Sequence, residues 1–375
     1  MNRNLPFVAS ALLLWGFGEG LFFNFIPIYL AKQFILSEYQ IGVVLGAFGL
    51  SMAITHIPAG RLADRFGRRP LLIIAWLLGL AATLVMGFAL SLPLYLLGLF
   101  AYGLTAFVAS PLSSYVTAAR GNWEVSTALS LTTATFGLGM VLGPVTGGWI
   151  GDHYGMRMSF FVAAVVFLFS NIAMFLVEAQ PLDHHDPESP PPNLIQNKQF
   201  IILMGVITFA IFAMYLAQPL TPNFLTGVRG LSLSKTGIIF TAGAFGNSLM
   251  AIFFSRVKPR RGFLFAQMLV ILFAMFIWKG ASLPVFALGY FVLGGFRAGR
   301  PLAQAQAREL VHDSQMGLTY GIMETISSVI FILTPPLAGV LFEYDPIIVY
   351  PLAIGLIIIS IFVTYQFSPR KESHA

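Results

Sequence analysis

The sequence predicts an all-α integral membrane protein with twelve transmembrane helices in two pseudo-symmetric six-helix bundles. Three observations carry this. Of 375 residues, 57% are hydrophobic and only 10% are charged, whereas a soluble domain carries roughly 25% charged residues. Such a chain cannot clothe a soluble surface, which excludes an ordinary cytosolic enzyme. Apolar runs of membrane-crossing length recur along it, and twelve spans of about 20 residues use roughly 240, leaving little for an extramembrane domain. The two halves also resemble each other at a fixed offset of 191 residues, as set out below.

The elements follow in order. Apolar runs fall at 6–31, 38–60, 70–90, 93–118, 126–150 and 157–178, and a second set at 199–226, 234–255, 263–280, 284–308, 316–342 and 347–367. The first run begins like a secretory signal, with Arg3 before apolar residues. It continues to Leu30 without a small-residue cleavage site, so it reads as a retained span. The halves are expected at 1–178 and 199–375, joined by a polar linker at 179–198 rich in proline and charge. His184 and His185 in that linker have no other ligand-rich segment nearby, so they read as solvated residues and no metal site is expected.

The repeat is visible in LGPVTGGWIGD from Leu142 and LTPPLAGVLFE from Leu333. At this offset Pro144 meets Pro335, Gly148 meets Gly339, Asp152 meets Glu343, and Arg65 meets Arg256. Parallel six-helix repeats suggest two bundles rocking about a site near the membrane midplane.

Charge sets the orientation. With a cytoplasmic N-terminus, fourteen lysines and arginines fall in cytoplasmic segments and five in outer loops, the asymmetry of inward-facing positive charge. Both termini are therefore expected in the cytoplasm and the protein in the cell (inner) membrane. The net charge of +6 sits in short loops between apolar runs and gives no reason to expect nucleic acid. The expected partners are the lipid bilayer and a small-molecule substrate, with the chain acting as a monomer. There is no cysteine, so no disulfide, thiolate metal site or thiol catalysis. No lysine fits G-x-x-x-x-G-K-[ST], so the phosphate loop of an ATP-driven pump is absent.

The loop after the second predicted helix reads GRLADRFGRRP, from Gly60 to Pro70. Gly60, Leu62, Asp64, Arg65, Gly67, Arg68 and Arg69 resemble the signature loop of the major facilitator superfamily, and lie between helices 2 and 3 as in that family. The resemblance implies the twelve-helix fold over the whole chain. Asp64 can accept hydrogen bonds from a helix N-terminus or an arginine, and the glycines allow close approach and a tight turn, so the loop is expected to latch one conformation. A simple topology anchor is the plainer alternative.

The fifth predicted helix carries G-L-G-M-V-L-G-P-V-T-G-G from Gly137 to Gly148. Gly139, Gly143 and Gly147 lie four apart on one face and allow another helix to approach, and Pro144 removes a backbone donor and favours a kink. With Pro144 and Gly148, the stretch resembles the antiporter signature of drug/proton exporters in the superfamily. That resemblance implies export. Those exporters often carry an arginine four residues before a glycine in helix 4. Here, with Gly103 as that glycine, Leu99 takes its place, so any proton coupling must use other groups.

Four ionisable residues fall deep within predicted spans, away from their ends: Glu19, Arg297, Arg300 and Glu324. Charges at such depth face a partner or a wet cavity. At about 1.5 Å per residue, Arg297 lies roughly 18 Å down helix 10 and Glu324 roughly 12 Å up helix 11, which puts them level in a core about 30 Å thick. Glu324 is therefore expected to pair with Arg297 or Arg300. Arg297 and Arg300 share a face, which Gln304 extends. Glu19, without a charged neighbour in its helix, is the first choice for proton coupling, because a carboxyl group withdrawn from water can exchange protons near neutral pH. A purely structural hydrogen bond is its alternative. His56 is expected to serve helix packing. Phe23 and Asn24 in helix 1 and Tyr215 and Gln218 in helix 7 are candidates to line the cavity.

The expected activity is proton-coupled export of a small organic or drug-like compound, driven by the proton gradient and needing no cofactor. Uptake or symport of a small anionic metabolite or sugar derivative, favoured by the two arginines and by Leu99 in place of the helix-4 arginine, is the runner-up, and a non-transporting receptor or assembly factor with this fold is the alternative of another class. No catalytic residues are expected, since no nucleophile–base pairing appears in the spans.

Overall fold

A computed structural model of the chain describes residues 4–123, 125–179, 197–311 and 316–368. The side chains at 56–66, 110, 125–126, 298, 316–318 and 320–321 also lie outside the described residues. The described residues form twelve principal helices.

In the N-terminal half, α1 comprises Asn4–Phe22 and Ile26–Phe34, joined by a 3-10 turn at Phe23–Phe25. Pro27, at the start of the second piece, has no N–H to give to the first, so the helix restarts there. Next come α2 (Glu38–Phe66) and α3 (Arg68–Phe88). The fourth, α4, is Leu92–Leu104 and Ala109–Ala119 around a 3-10 turn at Thr105–Val108. Then follow α5 (Val125–Tyr154) and α6 (Met156–Phe175). In the second half α7 (Lys198–Tyr215) ends in a helical turn at Thr221–Asn223 and a π-helical turn at Phe224–Val228. After it come α8 (Leu233–Phe254), α9 (Pro259–Lys279), α10 (Leu283–Arg308), α11 (Met316–Tyr344) and α12 (Val349–Phe367).

Eleven of these, among the described residues, are long and apolar enough to cross a membrane. The exception is α10, whose apolar run is interrupted by Arg297 and Arg300. Large apolar side chains such as Phe169, Ile358 and Phe362 point outward and are more than half exposed, as befits a surface that meets hydrocarbon rather than water.

Two junctions are a single residue long. Gly67 between α2 and α3 and Gly155 between α5 and α6 both take φ of 83°, a left-handed conformation that glycine adopts without steric cost. Within each half the third and sixth helices are tied twice. At mid-height the Trp76 indole donates to Ser170 Oγ at 2.8 Å, and Gln267 exchanges hydrogen bonds with Thr364 and Ser360 at 3.0 and 2.8 Å. At the helix end, Arg69 donates to the carbonyls of Val177 (2.6 Å) and Phe175 (3.3 Å), and Arg260 donates to the carbonyl of Tyr365. The cations thus meet the orphan carbonyls of a helix C-terminus. Trp76 and Gln267, like Arg69 and Arg260, stand 191 residues apart. The internal repeat is therefore a repeat of contacts and not only of letters.

The two halves meet through α5 against α8 and α2 against α11. We call the end that carries Asn4, Glu178 and Asn197 the terminal end: there Glu178 N–H donates to Asn4 (3.2 Å) and Asn197 to the Leu310 carbonyl (3.0 Å). The opposite end is called distal.

Candidate functional site: a wetted chamber between the two halves

The helix-5 glycines work on two faces. A Cβ at Gly139, Gly143 or Gly147 would come within 2.3, 2.6 and 2.0 Å of the backbone of α1. These three positions accordingly let α1 lie directly on α5. Gly148 belongs to the other face, where a Cβ would meet the Leu233 carbonyl of α8 at 2.3 Å, and Gly237 of α8 would meet the Pro144 carbonyl at 2.3 Å. The helix runs unbroken through Pro144 from Val125 to Tyr154. The opposite seam copies this. Cβ atoms at Gly42 and Gly46 of α2 would reach the carbonyls of Pro335 and Ile332 of α11 at 2.3 and 2.4 Å.

Each seam is closed at its distal tip by a carboxylate. Asp152, near the end of α5, accepts from the N–H groups of Leu233 (2.9 Å) and Ser234 (2.7 Å). Glu343, near the end of α11, accepts from the Tyr39 N–H at 3.0 Å. Both recipients are helix N-termini already capped by their own serines, Ser232 and Ser37, and the added anions complement the dipole end. A third link joins Asn223 Nδ2 to Glu38 at 2.8 Å. A Ser234 hydroxyl contact to Gly148 and a Thr241 bond to Val141 also join the halves. All lie toward the distal end, which is closed.

Asp152→Ala removes two acceptors from the α8 N-terminus. It is expected to favour the distally open form by about fivefold, the effect of roughly 1 kcal/mol at a helix N-terminus. Spin labels at Tyr154 and Lys235 should then report a larger share of long distances, and Asp152→Ala with Glu343→Ala a larger share still. An unchanged distribution in the double variant would show that the caps do not hold the closure.

Behind this closure lies the chamber. Glu19 of α1 is partly buried and accepts from the Tyr102 hydroxyl of α4 at 2.9 Å and from the Trp15 indole, one turn earlier, at 3.1 Å. Trp15 also stacks on Phe167, with ring centroids 4.5 Å apart. Across the chamber Arg300 of α10 donates to Glu324 of α11 at 2.7 Å, with side chains 34% and 46% exposed. Gln304 Nε2 donates to the other Glu324 oxygen at 3.4 Å. The expected ion pair between α10 and α11 is thus present, and Arg300 is the partner. The small cleft beside it is lined by Ile211, Arg300, Ala303, Gln304, Met323, Glu324 and Ser327.

Arg297, three residues earlier, is deep in the molecule and yet reached by solvent. It lies within electrostatic reach of Glu19 and of Tyr215, but no hydrogen bond or ion pair engages it among the described residues. With the distal end closed and these charges wetted, the chamber opens toward the terminal end.

The aromatic walls are partly as expected. Tyr215 stacks on Phe296 (6.0 Å, 14° between planes) and meets Phe331 edge-on at 4.7 Å, while Phe331 also lies 5.9 Å from the Arg300 guanidinium. Phe23 sits in the 3-10 break of α1 against Phe48 and Tyr102, with Asn24 beside it, half-buried. Gln218 turns its amide back to the Met214 carbonyl at 2.8 Å, which commits its donor to its own chain.

In the signature loop, Gly60, Asp64 and Arg65, together with His56, fall in the stretch whose side chains lie outside the described residues, as do His184 and His185. Gly67 makes the turn between α2 and α3, Arg68 Nη1 is buried without a hydrogen bond, and Arg69 is bonded within its own half. Arg69 therefore fastens α3 to α6 and, in this conformation, does not latch the two halves together.

Sequence reasoning missed Trp15, Tyr102, Phe296 and Phe331. Trp15 had a signal, since it precedes Glu19 by four residues and so shares its helix face. Tyr102 had none.

The family model described as Major Facilitator Superfamily matches residues 8–277 and 203–375. Among curated proteins, "Multidrug resistance protein 2" of Bacillus subtilis is 24% identical over 388 residues, covering 96% of this chain and 93% of that one. "Tetracycline resistance protein, class B" of Escherichia coli is 24% identical over 413 residues, covering 99% and 98%. Among solved structures, the nucleoside transporter NupG superposes with a TM-score of 0.84 at 13% identity, covering 98% of this chain and 100% of that one. The human organic anion transporter MFSD10 gives 0.71 at 16%, covering 96% and 99%.

Proposed function

The chain belongs to the Major Facilitator Superfamily, and on that premise we propose that it is a secondary transporter that exports small organic, drug-like compounds by alternating access, with Glu19 carrying the coupling proton. The relatives named for multidrug and tetracycline resistance, matched over nearly their whole lengths, support export. The observation that carries the mechanism is the setting of Glu19: a carboxyl group at the edge of a wetted chamber, held by two neutral donors, Trp15 and Tyr102. Neutral donors fix its position without fixing its charge, so the group can change protonation while staying in place.

The two halves, 1–178 and 199–375, rock about the chamber, with 179–198 as the linker between them. The distal seam opens as the terminal end closes. The charge asymmetry of the loops supports a cell-membrane orientation with both termini in the cytoplasm, and on that orientation the conformation described above is read as inward-facing. The protein works as a monomer without a cofactor, takes its energy from the proton gradient, and has no role in nucleic-acid binding or catalysis.

The test is proton movement in sealed inside-out vesicles under an imposed pH gradient, with a panel of lipophilic cations, organic acids and sugars. A proton flux evoked by one class of compound supports proton-coupled transport. Compound flux with no accompanying proton movement would remove the coupling, and silence across the panel with folded protein would favour a receptor role.

A further inference from the structure

We propose that Arg297 is the anchor for a carboxylate on the transported compound, so that the preferred cargo is an aromatic or amphipathic acid. The inference rests on the transport reading above and narrows its cargo.

The argument begins with what each charge in the chamber is already doing. Arg300 is committed to Glu324 at 2.7 Å, and Gln304 supports the second oxygen of that carboxylate. Glu19 is committed to Trp15 and Tyr102. Arg297 is the remaining chamber charge. Its guanidinium is solvent-reached, lies opposite Glu19, and has no hydrogen bond or ion pair among the described residues.

An arginine at such depth is costly to keep. Several other arginines are paired: Arg69, Arg157, Arg229 and Arg260 bond backbone oxygens and Arg300 bonds Glu324, while Arg68, at a helix end, keeps Nη1 buried and unbonded. Arg297 alone of these stands with its planar fork of donors open to the chamber, and that fork fits a carboxylate through two parallel hydrogen bonds.

A single free guanidinium matches one negative charge. With Arg300 already neutralised, a phosphate dianion would be left half compensated. The surroundings supply the rest of the cargo's description. Tyr215, stacked on Phe296 and edge-on to Phe331, gives Arg297 an aromatic flank on the α7–α10–α11 side, and Phe23 and Tyr102 face from α1 and α4. An open guanidinium beside the Tyr215 ring, with further rings around Glu19, suits a flat apolar body ending in an acid group.

The experiment uses purified full-length protein in nanodiscs and matched aryl compounds in three forms: carboxylic acid, primary amide and quaternary ammonium. Binding is read by calorimetry. The acid is expected to bind wild type about tenfold or more tightly than its amide, the scale of one charge-assisted bidentate pair. Arg297→Gln should erase that preference by lowering acid affinity to about that of the amide, and Arg297→Lys, which keeps charge but loses the fork, should retain part of it. Because Arg297 bonds no other described residue, neither change is expected to unfold the protein, and an unchanged melting temperature in nanodiscs checks this directly.

A preference for the ammonium form, an acid preference that survives in Arg297→Gln, or no discrimination among the three forms would each overturn the proposal. Vesicle transport of neutral or cationic compounds alongside any of these results would leave the export reading standing without it.

Discussion

Glu19→Gln is expected to reduce uphill transport to background while leaving exchange of compound down its own gradient intact. Glutamine has the same shape and keeps an oxygen for Trp15 and Tyr102, whose hydrogen bonds to Glu19 measure 3.1 and 2.9 Å, so the local packing survives. What it loses is the proton. The distinction matters because truncating a partly buried group would mix misfolding with loss of coupling. The measurement is accumulation against a gradient, compared with counterflow of preloaded compound in the same vesicles. Uphill transport retained in Glu19→Gln would remove the residue from the mechanism. Loss of both activities, with the protein folded, would make Glu19 a binding group for the cargo. Tyr102→Phe is the milder companion. It removes one of two donors to the carboxylate, at a cost of about 1 kcal/mol, and should alter the pH dependence of transport more than its maximum.

The second large effect concerns Glu324. Glu324→Gln leaves Arg300 without its anion at a depth where water reaches it only in part. The pair is 34% and 46% exposed, so the cost lies between that of a surface pair and that of a fully buried one, about 2 kcal/mol. It should appear as a lower melting temperature. Arg300→Gln in the same chain is expected to restore stability, because it removes the charge left unpaired. Arg297→Gln is not expected to do so, because Glu324 bonds Arg300. Rescue by Arg297→Gln in place of Arg300→Gln would reverse the assignment of the pair, and rescue by neither would show that Glu324 is held by other interactions.

The helices were legible because each needs a long apolar run, and few alternatives use so many. Even α10, less apolar than the rest, was legible from the length between its flanking polar segments. Its arginines were also correctly matched in depth to Glu324, since rise per residue converts position into height. The breaks within α1, α4 and α7 were not legible. Phe23–Phe25, Thr105–Val108 and Phe224–Val228 are apolar stretches of much the same composition as the helices around them; Pro27, Pro111 and Pro222 stand close to them, but α5 runs unbroken through Pro144, so proline alone did not locate the breaks. The Glu19 cluster was half legible: Trp15 by helical spacing, Tyr102 only by folding, 83 residues away. The correspondence of Asp152 with Glu343 stood in the repeat, but its meaning did not, because each carboxylate acts on backbone N–H groups of the other half and leaves no oppositely charged partner in the sequence to be read.

The ties made by Arg69 and Arg260 bear on how the chain assembles as it leaves the ribosome. Arg69 enters the bilayer region with α3, but the carbonyls it meets, at Phe175 and Val177, emerge about a hundred residues later, at the close of α6. Until then the first half lacks its last clasp. The same wait recurs between Arg260 and Tyr365. Each half is therefore completed only by its sixth helix. A nascent chain halted before α6 should be open to membrane quality control, whereas one halted just past it would already hold a finished half.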